Sequence, residues 1–187
     1  MKKILMIFVI IITTLSAYTQ TFEAYGRFTE KAGMEPDINI SGSKEISQKL
    51  SLSYFALVEQ KWSEALLSIS CKPYKWMQVG IGAGIEQNTD MFRTCASLIL
   101  EKGNSSFMVL LEKGDGPDNY WYKILISQKI SPELTVGIMD WRYHGIGPIF
   151  KYSPPKVHGV TLWAMPAFDS RIIRQRLMIG IDINMRK

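Results

Sequence analysis

Arg176-Leu-Met-Ile-Gly-Ile-Asp-Ile-Asn-Met185 is the stretch that decides how this chain folds. One parity carries Leu177, Ile179, Ile181, Ile183 and Met185; the other carries Met178, Gly180, Asp182 and Asn184. A strand with a two-residue period sends those sets to opposite faces, one wholly apolar and one largely small and polar. The same alternation runs cleanly through Met77–Glu86. There Met77, Val79, Ile81, Ala83 and Ile85 oppose Gln78, Gly80, Gly82, Gly84 and Glu86.

Outward from these two segments the pattern recurs over most of the chain. It runs from about Lys49 in pieces near 50–58, 62–72, 92–102, 105–113, 120–130, 134–143, 145–152 and 157–165. Phe55 and Leu57 are blemishes in the first piece. Turn-forming residues punctuate the runs, among them Gly103-Asn104, Gly114-Asp-Gly-Pro-Asp-Asn119, Ser131-Pro132 and Ser153-Pro-Pro155. That grammar describes an antiparallel meander of hairpins. Ten strands read steadily. Thr21–Lys49 is harder to read, with Phe22–Thr29 as a first strand and Glu35–Ser43 as a loop or a short second one.

The N-terminus reads as an export leader. Lys2-Lys3, the apolar run Ile4–Ile12 and the small, polar exit to Gln20 have the three parts of a cleavable signal. The run is far shorter than the roughly 20 residues of a spanning helix. The expected organisation is a leader over 1–20 and one β-domain over 21–187. The whole chain of 187 residues has a formal charge of +5. No basic cluster interleaved with aromatics appears, which argues against nucleic acid as a partner.

A soluble β-domain would also alternate, so the polar parity has to decide the medium. Water-facing strands are generously charged. Here that parity is mostly Gly, Ser and Thr with a thin scatter of charge, as in a narrow lumen where side chains must pair. Lys or Arg turned to lipid at mid-membrane would cost roughly 2–4 kcal/mol each. Trp62, Trp76 and Tyr120-Trp121-Tyr122 start segments, while Trp141, Tyr143 and Tyr152 end them, as two interfacial girdles would require.

On these features, from Lys49 to Met185, the chain resembles the small bacterial outer-membrane β-barrels. The resemblance implies an all-β, antiparallel up-and-down transmembrane barrel with an even strand number, ten or twelve, or eight if neighbouring segments fuse. It also implies outer-membrane lipid and the barrel-assembly machinery as partners. The ending Met185-Arg-Lys187 departs from the terminal aromatic residue common in that class.

Candidate functional residues fall into two groups. Glu64, Lys72, Glu86, Arg93, Glu101, Lys123 and Asp182, with Glu112 at a hairpin, are the candidates for a lumenal charge network. Arg142, Tyr143 and His144, within Trp141–Pro148, would form a polar site at one rim. Gly80-x-Gly82-x-Gly84 lacks the strand–turn–helix setting of a phosphate loop and reads as room for a neighbour or for curvature. Two histidines and two cysteines, Cys71 and Cys95, point to no metal site and to free thiols. No cofactor is expected.

The sequence therefore favours a non-enzymatic barrel of the Gram-negative outer membrane, structural, adhesive or a narrow pore. Two alternatives stand beside it. One is a soluble exported barrel whose apolar parity lines a ligand cavity, as in lipocalin-like proteins. The other is a membrane-embedded lipid-modifying enzyme, for which His144 would have to activate a nucleophile.

Overall fold

The computed structural model describes residues 19–29, 33–60, 62–87, 91–169 and 174–186. Twelve strands follow one another. They are β1 (Thr19–Thr29), β2 (Gly33–Glu45), β3 (Leu50–Glu59), β4 (Ser63–Tyr74), β5 (Met77–Glu86), β6 (Phe92–Lys102), β7 (Ser105–Gly114), β8 (Tyr120–Lys129), β9 (Leu134–Trp141), β10 (Gly145–Tyr152), β11 (Val160–Asp169) and β12 (Arg174–Arg186). Each pairs antiparallel with the next. β1 then pairs with β12, Phe22 opposite Ile183, and the sheet closes into a barrel without an edge.

The polar-start region holds two of the longer strands. β1 and β2 run 11 and 13 residues, where the sequence offered one strand and a loop or short second one. Barrel closure explains the difference. Both edges of a closing strand are hydrogen-bonded to neighbours, so weak alternation is enough to hold it in register. β1 begins at Thr19, within the expected leader. A cleavage after Ala17 would leave the strand whole.

The apolar parity faces outward. Ile81 is 69 % exposed, Val58 63 %, and Ile126 and Ile138 59 % each; on the closing strand Leu177, Ile179 and Met185 also point out. This overturns the lipocalin-like alternative, in which those side chains would line a cavity. Each large aliphatic chain left in water forgoes about 1.5–3 kcal/mol, so a belt of this extent calls for lipid. Among the described residues no helix is long and apolar enough to cross a membrane.

Connections are short at both ends. Gly103, at φ 60°, is the first central residue of the two-residue β6–β7 turn, where a primed hairpin needs glycine. Gly82 and Gly84 make a tight corner of the wall. A Cβ at Gly84 would collide with the Ala65 carbonyl on β4, and one at Gly82 with that of Leu67. These glycines serve curvature, and no phosphate loop is present.

Candidate functional site

Lumen-facing residues sort into three layers along the barrel. The end that carries the termini is lined by small polar groups, Ser43, Ser53, Ser68, Ser70 and Ser97. Their strands bring them together by register: Ser43 lies opposite Ser53, Ser53 opposite Ser68, and Ser70 opposite both Ser51 and Gly80.

The middle layer is split. Over β8–β12 the lumen is packed solid by Leu125, Met139, Trp141, Ile149, Trp163, Met165 and Met178, with Tyr25 of β1. Tyr25 stands 5.3 Å from the Trp141 ring and 5.5 Å from Trp163. The three methionines are 0–1 % exposed. Flexible thioethers fill the irregular gaps that rings leave. Beside this plug, lined mostly by β1–β8, runs a cavity of about 550 Å³. Phe55 and Leu57, the blemishes of β3, line it. So do Glu23, Lys123, Lys151 and Asp182. Asn39 donates to Glu23 at 2.6 Å, Trp163 Nε1 donates to Asp182 at 3.1 Å, and the Lys123 ammonium sits 4.0 Å over the Trp141 ring.

The third layer closes the end away from the termini with two arginine clusters. Arg93 reaches Glu86 at 2.6 Å, Glu112 at 2.8 Å and Glu64 at 3.1 Å, all four side chains buried. Asn119 accepts from Arg93 at 2.9 Å and donates to Glu86, and Trp62 donates to Glu64 at 3.2 Å. Arg27 is held the same way, 2.6 Å from Glu59, 3.1 Å from Asp37 and 3.8 Å from Glu35. Each guanidinium binds three carboxylates at once, a geometry its planar fork of five donors suits and an ammonium does not.

Of the residues singled out from sequence, Glu64, Glu86, Arg93 and Glu112 meet in one network. Lys123 and Asp182 belong to the cavity layer instead. Lys72 and Glu101 join neither: both are exposed at the termini-bearing rim, Lys72 at an irregularity in the β4–β5 register and Glu101 at the end of β6. Their lumenal parity is nullified by position, because a strand end projects beyond the lumen. Arg27, Glu35, Asp37 and Glu59 escaped notice since the first three lie in the region where alternation is weakest. The spacing Arg27/Glu35, which a tight β1–β2 hairpin would bring side by side, was the available signal.

Arg142, Tyr143 and His144 form the β9–β10 turn. Tyr143 takes φ 68° and is exposed; its neighbours turn inward and are buried. The Arg142 guanidinium lies 3.3 Å from the Tyr120 ring centroid and 4.6 Å from that of Tyr143, and both Arg142 and Tyr143 donate to the Asp118 carbonyl. The turn thus clasps the β7–β8 loop. His144 stacks on Trp141 at 3.9 Å, and its Nδ1 gives its proton to the Arg142 carbonyl, which can only accept. Burial, and then the positive charge of Arg27, holds the imidazole well below the ordinary histidine range.

The girdle reading needs correction. Trp76, stacked on Tyr74 at 5.4 Å, and Tyr120, Tyr143 and Tyr152 are exposed as expected. Trp141 and Trp163 are buried in the lumen and Trp121 packs against them, so these indoles plug the barrel instead of ringing it. Cys71 points outward by parity and Cys95 lines the cavity; both are free. Among the described residues no cluster of His, Cys, Asp or Glu is arranged to hold a metal.

A closed twelve-stranded wall, apolar outside and half-filled inside, has counterparts among solved structures. A KdgM porin matches over 87 % of this chain and 98 % of its own, with a TM-score of 0.59 at 12 % identity. The fold is that of a small outer-membrane barrel. A NanC porin matches over 89 % and 99 %, at TM-score 0.54 and 8 % identity. Outer membrane phospholipase A from Escherichia coli matches over 90 % and 92 %, at TM-score 0.54 and 13 % identity. No protein-family profile and no curated protein sequence matches the chain.

Proposed function

We propose that the protein is a non-enzymatic outer-membrane barrel that acts as a narrow, largely closed pore. The observation that carries this reading is the lumen: a cavity of about 550 Å³, with Glu23, Lys123, Lys151 and Asp182 set in a largely apolar lining, runs beside an aromatic plug and ends against two arginine clusters. Eight strands leave a lumen that side chains fill, and sixteen to eighteen leave a water channel. Twelve give the intermediate found here. Export by the N-terminal leader, insertion by the barrel-assembly machinery and residence in outer-membrane lipid belong to the same reading.

The lipid-modifying alternative lacks its chemistry. A nucleophilic hydroxyl must hydrogen-bond the base that activates it. The His144 Nδ1 faces its own turn, and its Nε2 is buried without a hydrogen-bond partner among the described residues. The deciding experiment is refolding into lipid, SDS-gel mobility with and without boiling, and conductance across a planar bilayer. A heat-dependent mobility shift with small, infrequent conductance steps is expected. Recovery as a detergent-free soluble protein, or wide steady channels, would refute the proposal.

A further inference from the structure

Among the described residues the two rims of the barrel differ in charge. Every hairpin at the termini-bearing end carries lysine: Lys49 in β2–β3, Lys72 and Lys75 around β4–β5, Lys102 before β6–β7, Lys129 before β8–β9 and Lys156 in β10–β11. All are exposed, and no described carboxylate pairs with their ammonium groups. Glu45, Glu101 and Glu133 are the acids of this rim, too few to balance them. At the opposite rim Lys113 stands alone among the described lysines, and its ammonium is spent on the Gly116 carbonyl of its own loop.

The same hairpins present apolar side chains beyond the strand ends. Ile46 is 60 % exposed, Ile130 59 % and Val157 50 %, and the stacked Tyr74 and Trp76, on either side of Lys75, stand 59 % and 49 % exposed. Aromatic and aliphatic groups beside unpaired ammonium groups are the composition of a surface seated at headgroup level. The apolar part enters the acyl boundary and the ammonium groups meet phosphate.

We infer that this lysine collar is a docking surface for anionic glycerophospholipid headgroups in the leaflet on the termini-bearing side. The inference rests on the membrane-barrel reading above. Charge complementarity selects the partner: a series of unpaired cations, one or two on each of the five hairpins, runs along the rim where headgroup phosphates lie. Zwitterionic headgroups offset their own phosphate with an ammonium and gain little from the collar. Phosphatidylglycerol carries no such offset.

The test is electron-spin resonance of the refolded protein in phosphatidylcholine vesicles doped with spin-labelled phosphatidylglycerol or spin-labelled phosphatidylcholine. Boiling-dependent gel mobility in the same vesicles establishes insertion separately, so failure to insert indicts the barrel reading and not the collar. A several-fold preference of the immobilised lipid shell for phosphatidylglycerol is expected. It should decline as salt shortens the Debye length from about 10 Å at 0.1 M to about 3 Å at 1 M. Lys72→Gln with Lys75→Gln should lower the preference, and replacing the lysines of all five hairpins by Gln should abolish it. Lys113→Gln should leave it unchanged. Equal association of the two labels with inserted wild-type protein would overturn the inference. So would a preference undiminished in an inserted Lys72→Gln/Lys75→Gln protein, or one lost through Lys113→Gln.

Discussion

Arg93 binds three buried carboxylates at once, so its removal takes from all three the guanidinium that holds them together. Breaking such a network from the cationic side costs about 3–5 kcal/mol. Arg93→Ala should lower the temperature needed for unfolding in SDS, because three buried carboxylates are left to repel one another. Arg93→Lys should recover only part of the loss, since a point charge cannot bond three partners in the plane of a fork. A melting transition unchanged by Arg93→Ala would remove the cluster from the account of stability. His144 provides a second residue-scale prediction, with the opposite physical origin. Its folded-state proton affinity is depressed, so the unfolded chain binds the extra proton. The contribution to stability is full above the unfolded value of about 6.5 and declines as pH falls below it. Nitrogen-15 shifts of the ring should report neutral imidazole with the proton on Nδ1 at pH 6. A protonated ring at that pH would contradict the burial that places it.

At the scale of elements, β5 contains its own control. Gly80, Gly82 and Gly84 share one face, yet what a side chain would meet differs along the strand. At Gly84 it meets the backbone of β4, which cannot yield, and at Gly80 it first meets the Ser97 hydroxyl, which can rotate away. Gly84→Ala should therefore cost more than the roughly 1–3 kcal/mol typical of overpacking and sharply reduce the folded fraction, while Gly80→Ala should fold nearly as wild type. Similar yields for the two would mean that the corner is not rigid. Alternation disclosed these glycines and their shared face, as it did the ten strands from β3 onward. It did not disclose the plug. Met139, Trp141, Ile149, Trp163 and Met165 occupy the lumenal parity with apolar side chains, and a reading that equates lumen with polarity has no place for them. Trp121 and Trp141 looked like interfacial anchors because both stand at segment ends. Parity, which the register makes unambiguous, turns them inward. β1 and β2 were faint for a different reason: Gly26, Pro36 and Gly42 interrupt their patterns, and it is closure against β12 and β3 that holds them.

For the whole molecule the issue is whether the filled half of the lumen or the ionic end sets the resistance to flow. The plug is continuous across β8–β12, and Trp141 is its keystone: it touches Tyr25 and Trp121 by ring contact, stacks on His144 and lies under Lys123. Removing that indole joins its volume to the cavity it borders without touching either arginine cluster. Truncating a buried tryptophan costs about 3–5 kcal/mol, which a twelve-stranded closed sheet in lipid can bear while remaining inserted. Trp141→Ala should then raise unitary conductance several-fold if the plug limits passage, with Ile138→Ala, a lipid-facing change on the same strand, leaving it unaltered. If Trp141→Ala leaves conductance at the wild-type level and Glu64→Gln with Glu112→Gln raises it, resistance lies at the Arg93 end. The aromatic packing would then serve the stability of the wall. If neither change alters the current, the cavity does not conduct, and a pore is the wrong description of a barrel whose lumen is sealed along its whole length.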